Sequence, residues 1–268
     1  MPLYICPTPI GNLEDVTLRV LETLKNSDEI YCEDTRTSKV FLSKYQIDTP
    51  TRYYDDHHGE KHLEEIIDKL KKNLKISLIS DAGMPLISDP GFGLVRRVRE
   101  ENLEMTVLPG ASACITALVG SSLSTDTFTF LGFMPRKENQ RQELLEKFSS
   151  IETTLIFYET ANRLIESLKT IQSILPDRRV VVARELTKMF EEYIEIDFNK
   201  LDDITLKGEM VVIIDKGDST QEDLNSVKEE MQSLVDYNMS KKDAINYLKN
   251  KYKISKNKLY EMSLEITQ

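Results

Sequence analysis

The sequence predicts an α/β fold in two domains followed by a small helical extension, and three observations predict it. Up to about residue 120, short apolar runs alternate with amphipathic segments, the pattern of βαβ units around a parallel sheet. From 121 to 217 the strand patterns crowd together, and one pair is too close for a crossover helix, which predicts a mixed sheet. Beyond 217 the strand patterns stop and three short helical patterns follow. The units read as 1–120, 121–217 and 218–268, with the first boundary in the small, polar stretch GSSLSTD at 120–126.

In the first unit, residues 3–8 read as a short buried strand leading into the PTPIGN loop. Asp15 is placed to cap a helix that carries Val16, Leu18, Val20, Leu21 and Leu24 at a loose 3.6-residue period. Strands are expected over 29–32 and 51–54, with a helix near 37–45 between them. A helix over 60–73 sets Leu63, Ile66, Ile67 and Leu70 on one face. ISLIS at 76–80 has the character of a buried strand, and the long loop SDAGMPLISDPG follows it. A helix over 93–101, a strand over 105–108 and a helix over 111–120, entered through Pro109-Gly110, complete this unit.

In the second unit, strands over 128–133, 154–158, 180–185, 193–197 and 210–214 interleave with helices near 138–148 and 162–174. The close pair around 187–192 reads as a hairpin. In the extension, helices are expected over 222–236, 241–251 and 255–265. Asn238 ends the first, and Ser240 and Ser255 cap the others.

A chain of 268 residues is long enough for two cores, and 40% hydrophobic with 30% charged residues is ordinary for a soluble globular protein. Cys6, Cys32 and Cys114 are odd in number and far apart, so neither a disulfide framework nor a metal knuckle is expected; reduced thiols suit the cytoplasm. The start MPLYICPTPIGN has no signal-peptide pattern, and no apolar run approaches the roughly 20 residues that span a bilayer. The net charge of −10 disfavours indiscriminate nucleic-acid binding. It is unevenly spread: residues 241–268 carry seven lysines against three carboxylates, a net +4, which leaves −14 for the rest.

Two loops that follow predicted strands contain the residues that let backbone approach a ligand: PTPIGN and the 80–91 loop. Parallel α/β sheets bind ligands beyond the carboxyl ends of their strands. Neither loop has the spacing of a dinucleotide or nucleoside-triphosphate motif, and either also serves as a plain connection.

The blocks PTPIGNLEDVTLR, EDTR, SDAGMPLISDPG, LPGASA, GFMPRK, FYETANR, ARELTK and KGEMVV follow in this order from Pro7 to about Val212. As a set they resemble the ribosomal-RNA ribose methyltransferase branch of the tetrapyrrole-methylase-like family, and the basic tail resembles that branch's C-terminal extension. The resemblance implies a parallel-sheet N-terminal domain and a mixed-sheet second domain with a cofactor cleft between them. It implies S-adenosylmethionine as cofactor, a homodimer, and 2′-O-methylation of a cytidine ribose in the decoding centre of 16S rRNA in the small ribosomal subunit. The alternatives are a tetrapyrrole or corrinoid small molecule as acceptor, or a non-catalytic RNA-binding assembly factor. A small-molecule enzyme has no need of the basic tail.

Carried over by block, cofactor contacts are expected from Asp81, Gly83, Ile87 and Ser88 in the long loop, and from Ser112 and Ala113 after LPGA. Further contacts are expected from Tyr158, Glu159, Leu186, Gly208 and Glu209, and from Pro9 in PTPIGN, a loop otherwise assigned to the ribose side. Met84 stands where the family usually has threonine, and Ala111 where it usually has proline.

Methyl transfer to a hydroxyl needs in-line positioning and is helped by a proton acceptor. Candidate acid–base or positioning groups are Glu33, Asp34 and Arg36 in EDTR, and Arg184, Glu185 and Lys188 in ARELTK. Each cluster equally suits a structural ion-pair network. His57, His58 and His62 lack a third ligand at suitable spacing, so no metal is expected. Tyr53-Tyr54 fits a half-buried strand better than a base-stacking platform. The basic clusters available to RNA phosphate are Arg136, Lys137 and Arg141; Arg96, Arg97 and Arg99; and the tail lysines 241, 242, 249, 251, 253, 256 and 258.

Overall fold

The computed structural model describes residues 2–56, 59–204, 207–216, 221–237, 239–252 and 256–266. His57, His58, Asn238, Lys253 and Ser255 lie outside the described residues, as do the side chains of Lys256 and Lys258.

The first unit is a five-stranded, all-parallel sheet. Its strands are β1 (Leu3–Cys6), β2 (Glu29–Cys32), β3 (Thr51–Tyr53), β4 (Ile76–Ile79) and β5 (Met105–Val107), in the order β3-β2-β4-β1-β5. The period-2 alternation of each strand decides which helices it meets. Leu3, Ile5, Tyr31, Ile76 and Leu78 face α3 (Gly59–Lys71) and α4 (Phe92–Glu100), where Ile66, Ile67, Leu70, Leu94 and Val98 complete one core. Cys6, Ile30, Cys32 and Ile79 point the other way, against α1 (Leu18–Lys25) and α2 (Thr35–Lys44), through Val20, Leu24, Phe41 and Leu42. A sheet covered on both faces has no polar face, which is why β4 reads as ISLI.

The helix expected from Asp15 begins later. Residues Leu13–Asp15 form a short 3-10 turn, and Thr17 caps α1 by accepting the Val20 N–H at 3.2 Å. The result is that Leu18 is 84% exposed while Val20 and Leu24 are buried.

The second sheet holds β6 (Phe128–Phe133), β7 (Thr154–Thr160), β8 (Val180–Arg184), β9 (Glu192–Glu195) and β10 (Glu209–Ile214), in the order β6-β7-β10-β8-β9. Only β6 and β7 run parallel; β8 and β9 form the expected hairpin. Leu155, Phe157, Val180, Val182 and Val212 face α6 (Glu138–Ser149) and α7 (Ala161–Ile174). The opposite face, through Ile156, Val181, Ala183, Val211 and Ile213, is covered by α5 (Ala113–Gly120), which precedes the sheet in the chain. Ile10, from the loop after β1, enters this same core. The two sheets are therefore joined by apolar packing as well as by the chain.

The extension is three helices, α8 (Gln221–Asp236), α9 (Lys241–Tyr252) and α10 (Lys256–Leu264). Val227, Met231, Ala244, Ile245, Leu248, Leu259 and Ile266 give them a small core of their own. Ser240 caps α9 as expected, accepting the Asp243 N–H at 3.2 Å. Among the described residues no helix is long and apolar enough to cross a membrane, and no His/Cys/Asp/Glu group could hold a metal ion.

Candidate active site

The two glycine- and proline-rich loops follow β1 and β4, which are neighbours, and they are stitched together there. Thr8 and Gly83 exchange both backbone hydrogen bonds, at 2.9 and 3.0 Å. Thr8 Oγ1 donates to the Ser80 carbonyl at 3.0 Å, and Ser80 Oγ to the Gly83 carbonyl at 2.8 Å. The long loop then doubles back with Leu86 at φ +72° and Ser88 at φ +68°, left-handed conformations that cost side-chain-bearing residues on the order of 1 kcal/mol each. Across the cleft, the turn after β8 has the same kind of strain at Glu185 (φ +49°) and Thr187 (φ +65°). The PTPIGN loop touches that turn. Asn12 N–H donates to Thr187 Oγ1 at 2.9 Å, and a Cβ on Gly11 would lie 2.7 Å from Lys188 Cγ and 2.8 Å from the Leu186 carbonyl oxygen. Only glycine allows the two backbones to pass this closely.

Between the sheets lies a cleft of about 400 Å³, within the range of small-molecule sites. Asp81, Gly83, Ile87 and Ser88 enter it from the long loop, and Ser112 and Ala113 from the start of α5. Tyr158 and Glu159 line it from the end of β7, Leu186 from the turn after β8, and Gly208 and Glu209 from the start of β10. Pro9 does not. It lines a second, adjoining cavity of similar size with Thr8, Gly11, Ser38 and Phe41, and the two cavities share Ile10, Asp81 and Ala82. Sequence reasoning missed Ile10, Asp89, Phe133, Thr160, Ala183, Met210 and Val211 in the first cleft. The apolar members among them look like ordinary core residues in one dimension. Asp89 stands inside the quoted SDPG block and could have been found there.

The Tyr158 ring is held edge-on by Phe130 and Phe133, with centroids 4.9 and 5.5 Å away, and burial pushes its hydroxyl up. Among the described residues the cleft's lining contains no lysine, arginine or histidine, whereas Asp81, Asp89, Glu159 and Glu209 all contribute to it. Such a wall repels phosphate and favours a cation. Glu159, however, is spent on structure. Its side chain is wholly buried and accepts from Thr160 N–H at 2.9 Å, Ser167 Oγ at 2.5 Å and Arg163 at 3.2 Å.

The predicted acid–base clusters lie beside the cleft and line neither cavity. Asp34 caps α2, accepting the Arg36 N–H at 2.8 Å, and its carboxylate is gripped by the Arg36 guanidinium at 3.1 and 2.8 Å. That grip, led by the Arg36 side chain, holds Asp34 down at about 2. Its own N–H donates to Asp81 Oδ1 at 3.2 Å, linking EDTR to the cleft wall. Glu33 is pushed up, first by burial and then by Asp81, Asp55, Asp34 and Asp56. Glu185 accepts the Glu209 N–H at 3.0 Å, and Lys188 bonds Glu185 at 3.1 Å and Glu209 at 2.9 Å. The Glu209 N–H is the main reason Glu185 sits below the usual carboxylate range. This second cluster locks the end of β8 to the start of β10. Arg184 pairs with Glu192 across the hairpin at 3.2 Å.

Several basic residues expected at an RNA surface have internal partners. Arg141 is buried and bonds the Arg136 carbonyl and Thr170. Arg96 pairs with Glu100, and Arg97 with Glu64 and Glu101. Lys241 donates to the Ser263 and Ile266 carbonyls, and Lys251 pairs with Glu230. Arg99, Arg136, Lys137, Lys242 and Lys249 are exposed. Tyr54 is buried with its hydroxyl on Asp56, and His62 packs edge-on to Tyr53.

A parallel sheet and a mixed sheet around an apolar-walled cleft that four carboxylates also line define an α/β protein with a site of small-molecule size. Residues 2–202 match the family described as Tetrapyrrole (Corrin/Porphyrin) Methylases. The chain is 42% identical over 266 residues to a "Ribosomal RNA small subunit methyltransferase I" of Rickettsia prowazekii (strain Madrid E), covering 97% of this chain and 95% of that protein. It is 40% identical over 272 residues to a protein of the same name from Haemophilus influenzae (strain ATCC 51907 / DSM 11121 / KW20 / Rd), covering 98% and 96%. Its fold is that of uroporphyrin-III C-methyl transferase from Thermus thermophilus complexed with S-adenyl homocysteine: TM-score 0.57 at 15% identity, over 80% of this chain and 97% of that one. The chain belongs to the tetrapyrrole methylase family and is a methyltransferase.

Proposed function

We propose that this chain transfers the methyl group of S-adenosylmethionine to the 2′-hydroxyl of a cytidine ribose in the decoding centre of 16S rRNA. The observation that carries this reading is the near-full-length similarity, at about 40% identity, to proteins named as methyltransferases of small-subunit ribosomal RNA. The methyl donor is S-adenosylmethionine, in keeping with family membership and with the S-adenyl homocysteine named in the structural relative.

The cleft's chemistry fits the donor. Its apolar walls (Ile10, Ile87, Leu186, Met210 and Val211) suit the uncharged parts of the molecule, and its carboxylates suit a sulfonium. When bound, the cofactor supplies a methyl group made electrophilic by the positive sulfur. The residues we assign to holding it are the long-loop set from Asp81 to Ser88, the Ser112-Ala113 corner of α5, Tyr158-Glu159, Leu186 and Gly208-Glu209. The adjoining cavity, with Pro9 and Gly11 on its wall, is assigned to the ribose. The two cavities adjoin at Ile10, Asp81 and Ala82, and donor and acceptor would meet there, an arrangement suited to in-line transfer. Asp34, Arg36, Glu185 and Lys188 act as positioning groups in this reading, because each already has a fixed ionic partner.

Exposed Arg136, Lys137, Lys242 and Lys249 are assigned to rRNA phosphate. We also read the protein as a cytoplasmic homodimer. Ile115 and Val119, four apart on α5 and both exposed, support a protein-facing surface. Sedimentation of the purified chain tests this, and a monomer at assay concentration would overturn it.

The function is tested by incubating the protein with labelled S-adenosylmethionine and 30S subunits that lack the modification, then mapping the label. Label on a cytidine 2′-oxygen is expected. A methylated tetrapyrrole precursor with unlabelled RNA would move the assignment to a small-molecule acceptor.

A further inference from the structure

We propose that the cavity adjoining the cofactor cleft holds the base of the acceptor nucleotide, unstacked from its RNA, with the Ser38 hydroxyl as a polar contact to the base edge. This deepens the reading of that cavity as the ribose site and rests on it. A ribose within a stacked RNA helix shows its 2′-hydroxyl in a shallow groove, which a flat surface can reach. An enzyme that takes the nucleotide out of its stack needs a pocket, with apolar walls for the faces of the base and a polar group for its edge. The adjoining cavity, of about 400 Å³, is of the second kind. Pro9, Leu13, Val40 and Phe41 give it apolar wall. Among the described residues Asp81, where the two cavities meet, is the only charged residue of its lining.

Hydrogen-bond accounting singles out Ser38. Thr8 Oγ1 and Ser80 Oγ, which also line the cavity, are spent on backbone carbonyls at 3.0 and 2.8 Å. Ser38 is 4% exposed, and its Oγ has no hydrogen-bond partner among the described residues. The Cys32 thiol beside it donates instead to the Arg52 carbonyl at 3.7 Å. A buried hydroxyl left without a partner costs stability, so a fold that keeps one calls for a reason. A base edge supplies it. A hydroxyl both donates and accepts, and so pairs with a ring carbonyl or with an exocyclic amine.

The position of Ser38 suits a nucleoside that starts where the cavities meet. Asp34 N–H donates to Asp81 Oδ1 at 3.2 Å, and Ser38 N–H donates to the Asp34 carbonyl at 3.0 Å. Ser38 therefore lies one turn of α2, about 5.4 Å, beyond the contact with Asp81. A ribose seated by Asp81 lays its base along this helix. Val40 lines the cavity while 66% exposed, an apolar surface open to a base. Arg36 and Lys39 stand exposed on the same helix, where flanking phosphates need cations.

The experiment uses the full-length protein saturated with S-adenosyl homocysteine, and free cytidine as the probe. Saturation-transfer NMR is expected to show transfer to the protons on the base carbons, and to lose it in Val40→Glu, whose S-adenosylmethionine affinity by calorimetry should match the parent. Ser38→Ala should raise KM for 30S subunits roughly 2- to 10-fold, the worth of one hydrogen bond, with kcat and cofactor affinity unchanged. The hydroxyl it removes has no partner in the fold, so its thermal unfolding midpoint should hold or rise. A serine that served structure alone would lower the midpoint and spare KM. Transfer confined to the ribose protons, or absent altogether, overturns the base assignment, as does an unchanged KM in Ser38→Ala. Parent protein that labels no RNA yet transfers saturation to the base protons would sink the functional reading and leave the pocket assignment standing.

Discussion

Gly208 sits at φ +93°, and a Cβ there would fall 2.2 Å from Glu185 Oε1. The missing side chain lets Glu185 reach the Glu209 N–H, and so lets one carboxylate set the depth at which β10 enters the cleft. Gly208→Ala should cost well over about 1 kcal/mol, from left-handed strain as well as displacement of Glu185. Thermal melts would read the stability loss, and calorimetry a weaker affinity for S-adenosylmethionine. Arg178 works in the opposite way, by filling space with charge. It is 8% exposed and donates to the carbonyls of Phe148, Ser149 and Ile151 at 3.2, 2.9 and 3.0 Å, closing the end of α6. Arg178→Met orphans those acceptors and should lower unfolding free energy by about 3 kcal/mol in urea titrations. Gly208 was expected at the cleft from its block, but its positive φ and its contact with Glu185 were not legible in one dimension, and neither was the burial of Arg178. A positive-φ glycine and a buried arginine look like any other glycine and arginine until the strands beside them are placed.

Among elements, the extension teaches most. Its helices were legible because apolar residues recur at a helical spacing and Ser240 precedes Asp243 by three. The fate of its lysines was not legible, since lysine composition does not reveal which carbonyl or carboxylate stands opposite. Lys241 closes the end of α10 through two carbonyls, so Lys241→Met should destabilise the extension without a specific effect on RNA. Lys242 and Lys249 are the better probes of phosphate contact. Replacing both with alanine should reduce the slope of log affinity against log salt by about 2 if each neutralises one phosphate. Filter binding at several salt concentrations measures it, and an unchanged slope removes the RNA role. Truncation experiments should cut before α8, because removing 241–268 alone strips the cover from Val227 and Met231. Loss of residues 221–268 should weaken RNA methylation while cofactor affinity persists. The helix start misjudged at Asp15 has an equally local cause: Thr17 and Asp15 are both good caps, and only the 3-10 turn decides between them.

At the scale of the whole molecule, the two sheets were legible from strand spacing and two candidate ligand loops from their place after strands, while the cleft between the sheets was implied by the family resemblance. The tight fit between the units was not. α5 precedes the polar stretch at 120–126, yet it covers the sheet that follows that stretch, and Ile10 crosses over to join it. This arrangement has a consequence for synthesis on the ribosome. α5 leaves the exit tunnel with Cys114, Ala117 and Leu118 uncovered, and the central strand they pack on, β10, begins only at Glu209. At translation speeds of roughly 5–20 residues per second, that interval lasts on the order of 5–20 s. For that time the nascent chain carries a greasy helix with no seat, a natural landing point for a chaperone.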